Sequence, residues 1–169
     1  LSSKSFVLFL FLLSSFFITQ TSSFAANTGA IKIADLSHNI SSDGELLYKI
    51  KAKSGIMKDF SSKTLILDTI EVILIKKGKP DVKIYADKGK LNTLDKNLEL
   101  DKNIKAFNEQ YKITCDKLFF KNTKKMIYLK GNVKIESQTS VFYSENGEFD
   151  IKADTLTLIN NVKGLLDEI

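Results

Sequence analysis

The chain has no arginine and no tryptophan, and its 169 residues include one cysteine, one histidine and one proline. Each scarcity closes off a class of function. A single cysteine forms neither an intramolecular disulfide nor a cysteine-rich metal module. One histidine and one cysteine would leave a zinc site to be completed by carboxylates, an uncommon ligand set. Every basic residue is lysine, so the guanidinium fork that reads guanine or grips phosphate bidentately is missing. No nucleic-acid partner, metal or cofactor is therefore expected. What is present is a globular composition, 43% hydrophobic and 27% charged, with a net charge of +5.

The first segment is a leader. Lys4 precedes an apolar stretch from Phe6 to Ile18, followed by Thr19, Gln20, Thr21, Ser22 and Ser23 and then by Ala25 and Ala26. A basic start, a short apolar run and a small-x-small site describe a secretory signal over residues 1–25. The rival is an uncleaved N-terminal membrane anchor, which needs about 20 predominantly apolar residues. Either reading sends the remainder across a membrane. Residues 26–44 read as a lead-in and 45–169 as one β domain.

The pattern of that domain is all-β. Val82-Lys83-Ile84-Tyr85-Ala86-Asp87 and Tyr128-Leu129-Lys130 alternate apolar with polar or amphipathic residues, so one face is buried and the other wet. No segment of helical length beyond the leader carries an apolar stripe at helical spacing. The strongest signal is an internal repeat. Leu98-Glu99-Leu100-Asp101-Lys102-Asn103-Ile104-Lys105 recurs as Ile127-Tyr128-Leu129-Lys130-Gly131-Asn132-Val133-Lys134. It recurs again as Leu156-Thr157-Leu158-Ile159-Asn160-Asn161-Val162-Lys163. Each copy follows a second shared block: Ile84-Tyr85-Ala86-Asp87, Ile113-Thr114-Cys115-Asp116 and Phe142-Tyr143-Ser144-Glu145. A degenerate earlier copy runs from Ile50 to Leu67, lengthened by the loop at Lys76–Pro80. The expectation is about four stacked β-units of ~29 residues.

Equivalent positions form rungs pointing into one interior. They are Ile84, Ile113 and Phe142; Leu91, Phe120 and Phe149; Leu98, Ile127 and Leu156; Leu100, Leu129 and Leu158; and Ile104, Val133 and Val162. Ala86, Cys115 and Ser144 make a rung of small residues, so Cys115 reads as a buried small side chain. Asn103, Asn132 and Asn161 follow Lys102, Gly131 and Asn160. Asn and Gly tolerate left-handed backbone, and a corner or β-bulge is expected there, bending each strand so that the sheet folds over.

Catalysis finds no support. His38, in Ser37-His38-Asn39, lies outside the repeats with no nucleophile and acid to converge on it. Asp87, Asp116 and Glu145 form an acidic rung, but Lys88 and Lys117 follow two of them and the spacing resembles no calcium loop, so these read as solvated strand ends. Lys76-Lys77-Gly78-Lys79-Pro80 reads as a hairpin tip.

Tyr85-Ala86-Asp87-Lys88-Gly89, then Leu129-Lys130-Gly131-Asn132-Val133-Lys134, resemble the OstA-type domain of the periplasmic lipopolysaccharide-export proteins LptA and LptC. Tyr48-Lys49-Ile50-Lys51-Ala52 is similar to the first strand of the LptC branch, and the likeness spans about residues 45–164. It implies an open β-jellyroll whose apolar groove carries the acyl chains of lipopolysaccharide. It further implies a periplasmic location, or one anchored in the inner membrane, and a bridge from inner to outer membrane. The groove candidates are then Ile84, Leu98, Leu100, Ile104, Ile113, Phe120 and Ile127, continued by Leu129, Val133, Phe142, Phe149, Leu156, Leu158 and Val162. The corner residues are Asn103, Gly131, Asn132 and Asn161.

The residues themselves are compatible with that role, since aliphatic rungs suit a saturated chain at about 0.8 kcal/mol per buried methylene. They equally suit a structural β-solenoid of the envelope with a dry core. An outer-membrane barrel fails, because the face opposite the rungs carries Lys83, Asp87, Glu99, Asp101 and Lys130. Open terminal strands suit strand addition between Lpt-type jellyrolls. The segment Leu156–Lys163 would dock a downstream LptA- or LptD-type domain, and the strand near Glu45–Ala52 would receive the inner-membrane transporter complex upstream. Cleavage of the leader predicts a mature N-terminus at Ala26. N-terminal sequencing after expression in a Gram-negative host checks this, and an intact Phe6–Ile18 segment in the membrane fraction would establish the anchor instead.

Overall fold

The alternation extends into ten antiparallel strands. The computed structural model describes residues 29–42, 45–58, 61, 63–75 and 78–166. The leader lies outside these residues, as do residues 76 and 77 of the basic turn. The strands are β1 (Ile31–Ser42), β2 (Glu45–Met57), β3 (Thr64–Leu74), β4 (Val82–Asn92), β5 (Leu98–Phe107), β6 (Tyr111–Lys121), β7 (Met126–Ser137), β8 (Ser140–Asp150), β9 (Thr155–Ile159) and β10 (Lys163–Leu166). They form one sheet in chain order, with both β9 and β10 on the outer side of β8. No helix occurs among the described residues. The repeat unit is thus a hairpin: β4–β5, then β6–β7, then β8 with the broken strand β9/β10.

Each strand bends at the same line across the sheet. The β4–β5 pairing skips between Tyr85 and Lys88, and that of β5–β6 between Asp101 and Ile104. Two further skips, at Thr114/Lys117 and Lys130/Val133, continue the line. At the skips, Lys102-Asn103, Gly131-Asn132 and Asn160-Asn161 take left-handed backbone with φ between 47° and 74°, as do the single residues Asp35 and Thr69 in β1 and β3. The strands turn at this line, and the acidic rung belongs to the turn. Asn103 donates through Nδ2 to Asp87 at 2.6 Å, Asn132 to Asp116 at 2.8 Å and Asn161 to Glu145 at 2.5 Å. These carboxylates hold the bend rather than standing as separate solvated positions.

The bend interrupts the alternation. In β4 the buried residues are Val82, Ile84 and Ala86, then Gly89 and Leu91, with Asp87 and Lys88 both outward between them, so the phase changes. In β7 they are Ile127 and Leu129, then Val133, with Lys130, Gly131 and Asn132 between, so the phase is kept. In both cases the interruption turns the strand so that its two halves face one interior. The sheet thereby becomes two leaves. The upper leaf holds β2 up to Ala52, β4 up to Ala86, β6 up to Cys115 and β8 up to Ser144, with the strand halves they pair with. The lower leaf holds the remainder. Ala86, Cys115 and Ser144 are buried at the crease, where there is room only for small side chains.

The first strands close tightly. Tyr48, on the upper leaf, is 1% exposed and meets Phe120 of the lower leaf edge-on at 5.0 Å. Its hydroxyl donates to the Lys96 carbonyl at 2.7 Å, and Lys96 Nζ donates to the Ser41 carbonyl at 2.7 Å. Burial and the nearby Asp95 carboxylate both push the Tyr48 hydroxyl far above its usual pKa, so it stays a donor.

Two expectations change. The lead-in contributes a 12-residue strand, β1, paired with β2 along nearly its whole length. Its apolar residues Ile31, Ile33, Leu36 and Ile40 follow the phase-switched alternation, without the repeat blocks that mark the later units. Consequently the strand near Glu45–Ala52 is paired on both sides, and among the described residues the edge strand is β1. Val162 also departs from its rung. It lies between β9 and β10 and is 52% exposed, and among the described residues no strand pairs beyond this last broken one.

A methyl group at Gly131 would collide with the Asp116 carboxylate in a left-handed backbone with φ of 74°. Gly131→Ala is expected to cost about 2 kcal/mol, whereas Gly29→Ala, with open space around it, changes stability by less than about 0.5 kcal/mol; urea unfolding midpoints report both. Burial, with a contribution from Asp116, pushes the Cys115 thiol up to about 12. Native protein at pH 8 should label with a thiol reagent only as fast as the domain opens, and unfolded protein should label at once.

Candidate groove between the two leaves

Beyond the Tyr48 closure the leaves part. From β6 onward the inward residues Ile113, Ile135, Phe142, Phe149, Leu156 and Leu158 are only partly buried, although all but Phe142 pack against the core. Between them lies a cavity of about 540 Å³, within the range of sites that hold small apolar ligands. Its floor is Ile84, Ala106, Leu118, Ile127 and Leu129, all buried. Polar groups are confined to the rim, where the hairpin turns end: Asn108, Gln110, Ser137 and Ser140. Tyr111 also lines it, and burial raises the pKa of its hydroxyl, so it carries no charge at neutral pH. Lys79 of the β3–β4 turn pairs with Asp154 of the β8–β9 turn, joining the two leaves across the mouth.

The sequence-derived candidates divide. Ile84, Ile113, Ile127, Leu129, Phe142, Phe149 and Leu156 line the cavity. Leu98, Leu100, Ile104, Phe120 and Val133 instead fill the packed interior, each at most 5% exposed. Leu158 packs at the side of the core, and Val162 lies outside it. Several lining residues escaped the rung reading, namely Leu74, Val82, Ala106, Leu118 and Ile135. The signal that would have found Ala106 and Ile135 is the same 29-residue spacing, extended past the Asn corner to the far end of each strand.

Chemically the groove can bury hydrocarbon and little else. It offers no paired carboxylates in its depth, no nucleophile beside a base and no array of fixed donors. Among the described residues no cluster of His, Cys, Asp or Glu could hold a metal ion. His38 sits on the exposed edge strand β1, far in sequence from any lining residue.

The comparisons with known proteins bear on this architecture. No curated protein matches the chain. Among solved structures, the chain is similar to LptH of Pseudomonas aeruginosa, described as the LptA-homologous periplasmic component of the lipopolysaccharide transport device. The identity is 9% and the TM-score 0.37, over 84% of this chain and 97% of that one. The family model described as lipopolysaccharide-assembly, LptC-related, matches residues 7–167. With its open, bent, all-β sheet, the chain belongs to the LptC-related lipopolysaccharide-assembly family, whose members are envelope transport proteins and not enzymes.

Proposed function

We propose that this protein holds the acyl chains of lipopolysaccharide between its two leaves and passes the glycolipid along a bridge from inner to outer membrane. The observation that carries the reading is the apolar cavity under β6–β9, floored by Leu118, Ile127 and Leu129 and polar only at its rim. Burying about ten methylenes there is favourable by roughly 8 kcal/mol before the cost of association, without any directional contact. The sugar headgroup would remain at the rim, among amide and hydroxyl side chains.

The bridge follows from the edges. The outer side of β9/β10 is one open edge and β1 the other. Strand addition at two different edges is heterologous and builds an open row of domains rather than a closed dimer. In this reading β9/β10 meets an LptA- or LptD-type domain downstream, and β1 meets the inner-membrane transporter complex upstream.

A photocrosslinking residue at Leu129, inside the groove, is expected to capture lipopolysaccharide in cells, whereas one at outward Lys130 captures none. Phe142→Asp, at a partly exposed lining position, should abolish capture and transport while circular dichroism stays unchanged. Native mass spectrometry of protein taken from its own envelope should show a bound glycolipid. Equal capture at both positions, or a lipid-free protein, would favour the dry-core structural solenoid.

A further inference from the structure

The groove can bury a hydrocarbon chain but cannot by itself choose which one. Removing methylenes from water is non-directional and follows area alone, so amphiphiles with one chain and different headgroups would enter equally well. Selection falls to the few polar groups at the rim. The turns of the upper leaf supply most of that rim: Lys79 between β3 and β4, Asn108 and Gln110 between β5 and β6, and Ser137 and Ser140 flanking the β7–β8 turn. The last two turns offer neutral side chains. Lys79 is the one cation among the described residues that line the cavity, and Asp154 of the lower leaf is the one anion.

The pair they form is exposed, with 53% of the lysine side chain and 34% of the aspartate side chain open to solvent. Ion pairs in that setting add little to stability, and every strand that crosses the bend already joins the leaves. As a clasp the pair is therefore weak. Its effect is positional, because the aspartate holds an ammonium over the opening of an apolar trough walled by Leu74, Val82 and Leu156. An ammonium on a four-carbon stem is a compact charge with rotatable donors, suited to an anion arriving from any side. Exchanging one exposed anionic partner for another costs little, and burial of the chain behind it favours the exchange. A phosphate monoester brings more charge and more acceptor oxygens than the carboxylate it would replace.

We propose that Lys79 selects the amphiphile by its anionic headgroup, with a phosphate ester taking the place of the Asp154 carboxylate as the chain enters. This rests on the reading of the groove as an acyl-chain site. The probes are 1-lauroyl lysophosphatidic acid and 1-lauroylglycerol, which share one chain and differ by the phosphate, together with inorganic phosphate. Calorimetric titration of the full chain, below the micellar concentration of each amphiphile, should show the lysophosphatidic acid binding about tenfold more tightly than the monoglyceride. Inorganic phosphate should give no measurable heat. Lys79→Gln should remove the tenfold advantage and leave the monoglyceride affinity unchanged. Asp154→Asn, which the left-handed backbone there accommodates at φ of 55°, should instead strengthen lysophosphatidic acid binding about threefold. Lys90→Gln, on the exposed outer face of β4, removes a charge away from the groove and should change neither affinity. Both groove variants break the same ion pair, so opposite effects distinguish exchange from a clasp, and effects of one sign would overturn the proposal. Equal binding of the two amphiphiles, or tight binding of inorganic phosphate, would overturn the headgroup assignment while leaving the groove reading in place. Binding of neither amphiphile would overturn the groove reading and this inference together.

Discussion

Each long strand of this sheet breaks its alternation at one line, and the rest of the architecture depends on that. A regular strand shows one face to each side along its length, so without the break the strands β3, β4, β6 and β8 would turn the apolar set of one half away from that of the other. Two outward residues at Asp87-Lys88 in β4, and three at Asp101-Lys102-Asn103 in β5, with their equivalents, bring both halves of each strand to a common interior. Left-handed backbone makes the break possible, and the asparagine–carboxylate pairs fix it. Glycine or asparagine supplies most of these positions at low cost; lysine at 102 and threonine at 69 occupy the same conformation because neighbouring strands on both sides hold it there.

Much of this was legible in the residues. The 29-residue repeat located the hairpins, and the rungs named inward positions, because a strand has a strict period of two. The small rung of Ala86, Cys115 and Ser144 marked the crease. The pairing of acid with asparagine was harder to see, since residues 16 apart meet only when the hairpin register is known. β1 was missed because it lacks the repeat blocks. The division of the rungs into packed core and groove was hidden for a different reason. Leu100 and Leu129 are the same residue in the same register, and only the distance between the leaves at each unit tells them apart. That distance is set by what stands opposite, such as the bulk of Tyr48 at one end and its lack at the other.

The molecule is therefore graded along its strand order. Around Tyr48 the interior is filled and pinned by the Tyr48 hydroxyl and the Lys96 ammonium, whereas from Leu74, Val82 and Ala106 across to Leu156 it is open and spanned at the mouth by Lys79 and Asp154. A member of a transport family gains from such a gradient. The filled end supplies the cohesion that lets the other end keep apolar side chains only partly buried. The exposed Leu165 and Leu166, at 65% and 72%, continue the apolar character to the last edge.

The hairpin unit also sets a scale of length. Each one begins and ends at the same end of the strands, crosses the bend twice and pairs its backbone only with the units beside it. Architectures of this kind are quasi-one-dimensional, with stability close to a sum of neighbour terms. Duplicating one unit would leave every existing register intact and advance the trough by two strand spacings, roughly 10 Å. Reach across a gap can thus be altered in fixed increments by copying a short stretch of gene, with no new corner to invent.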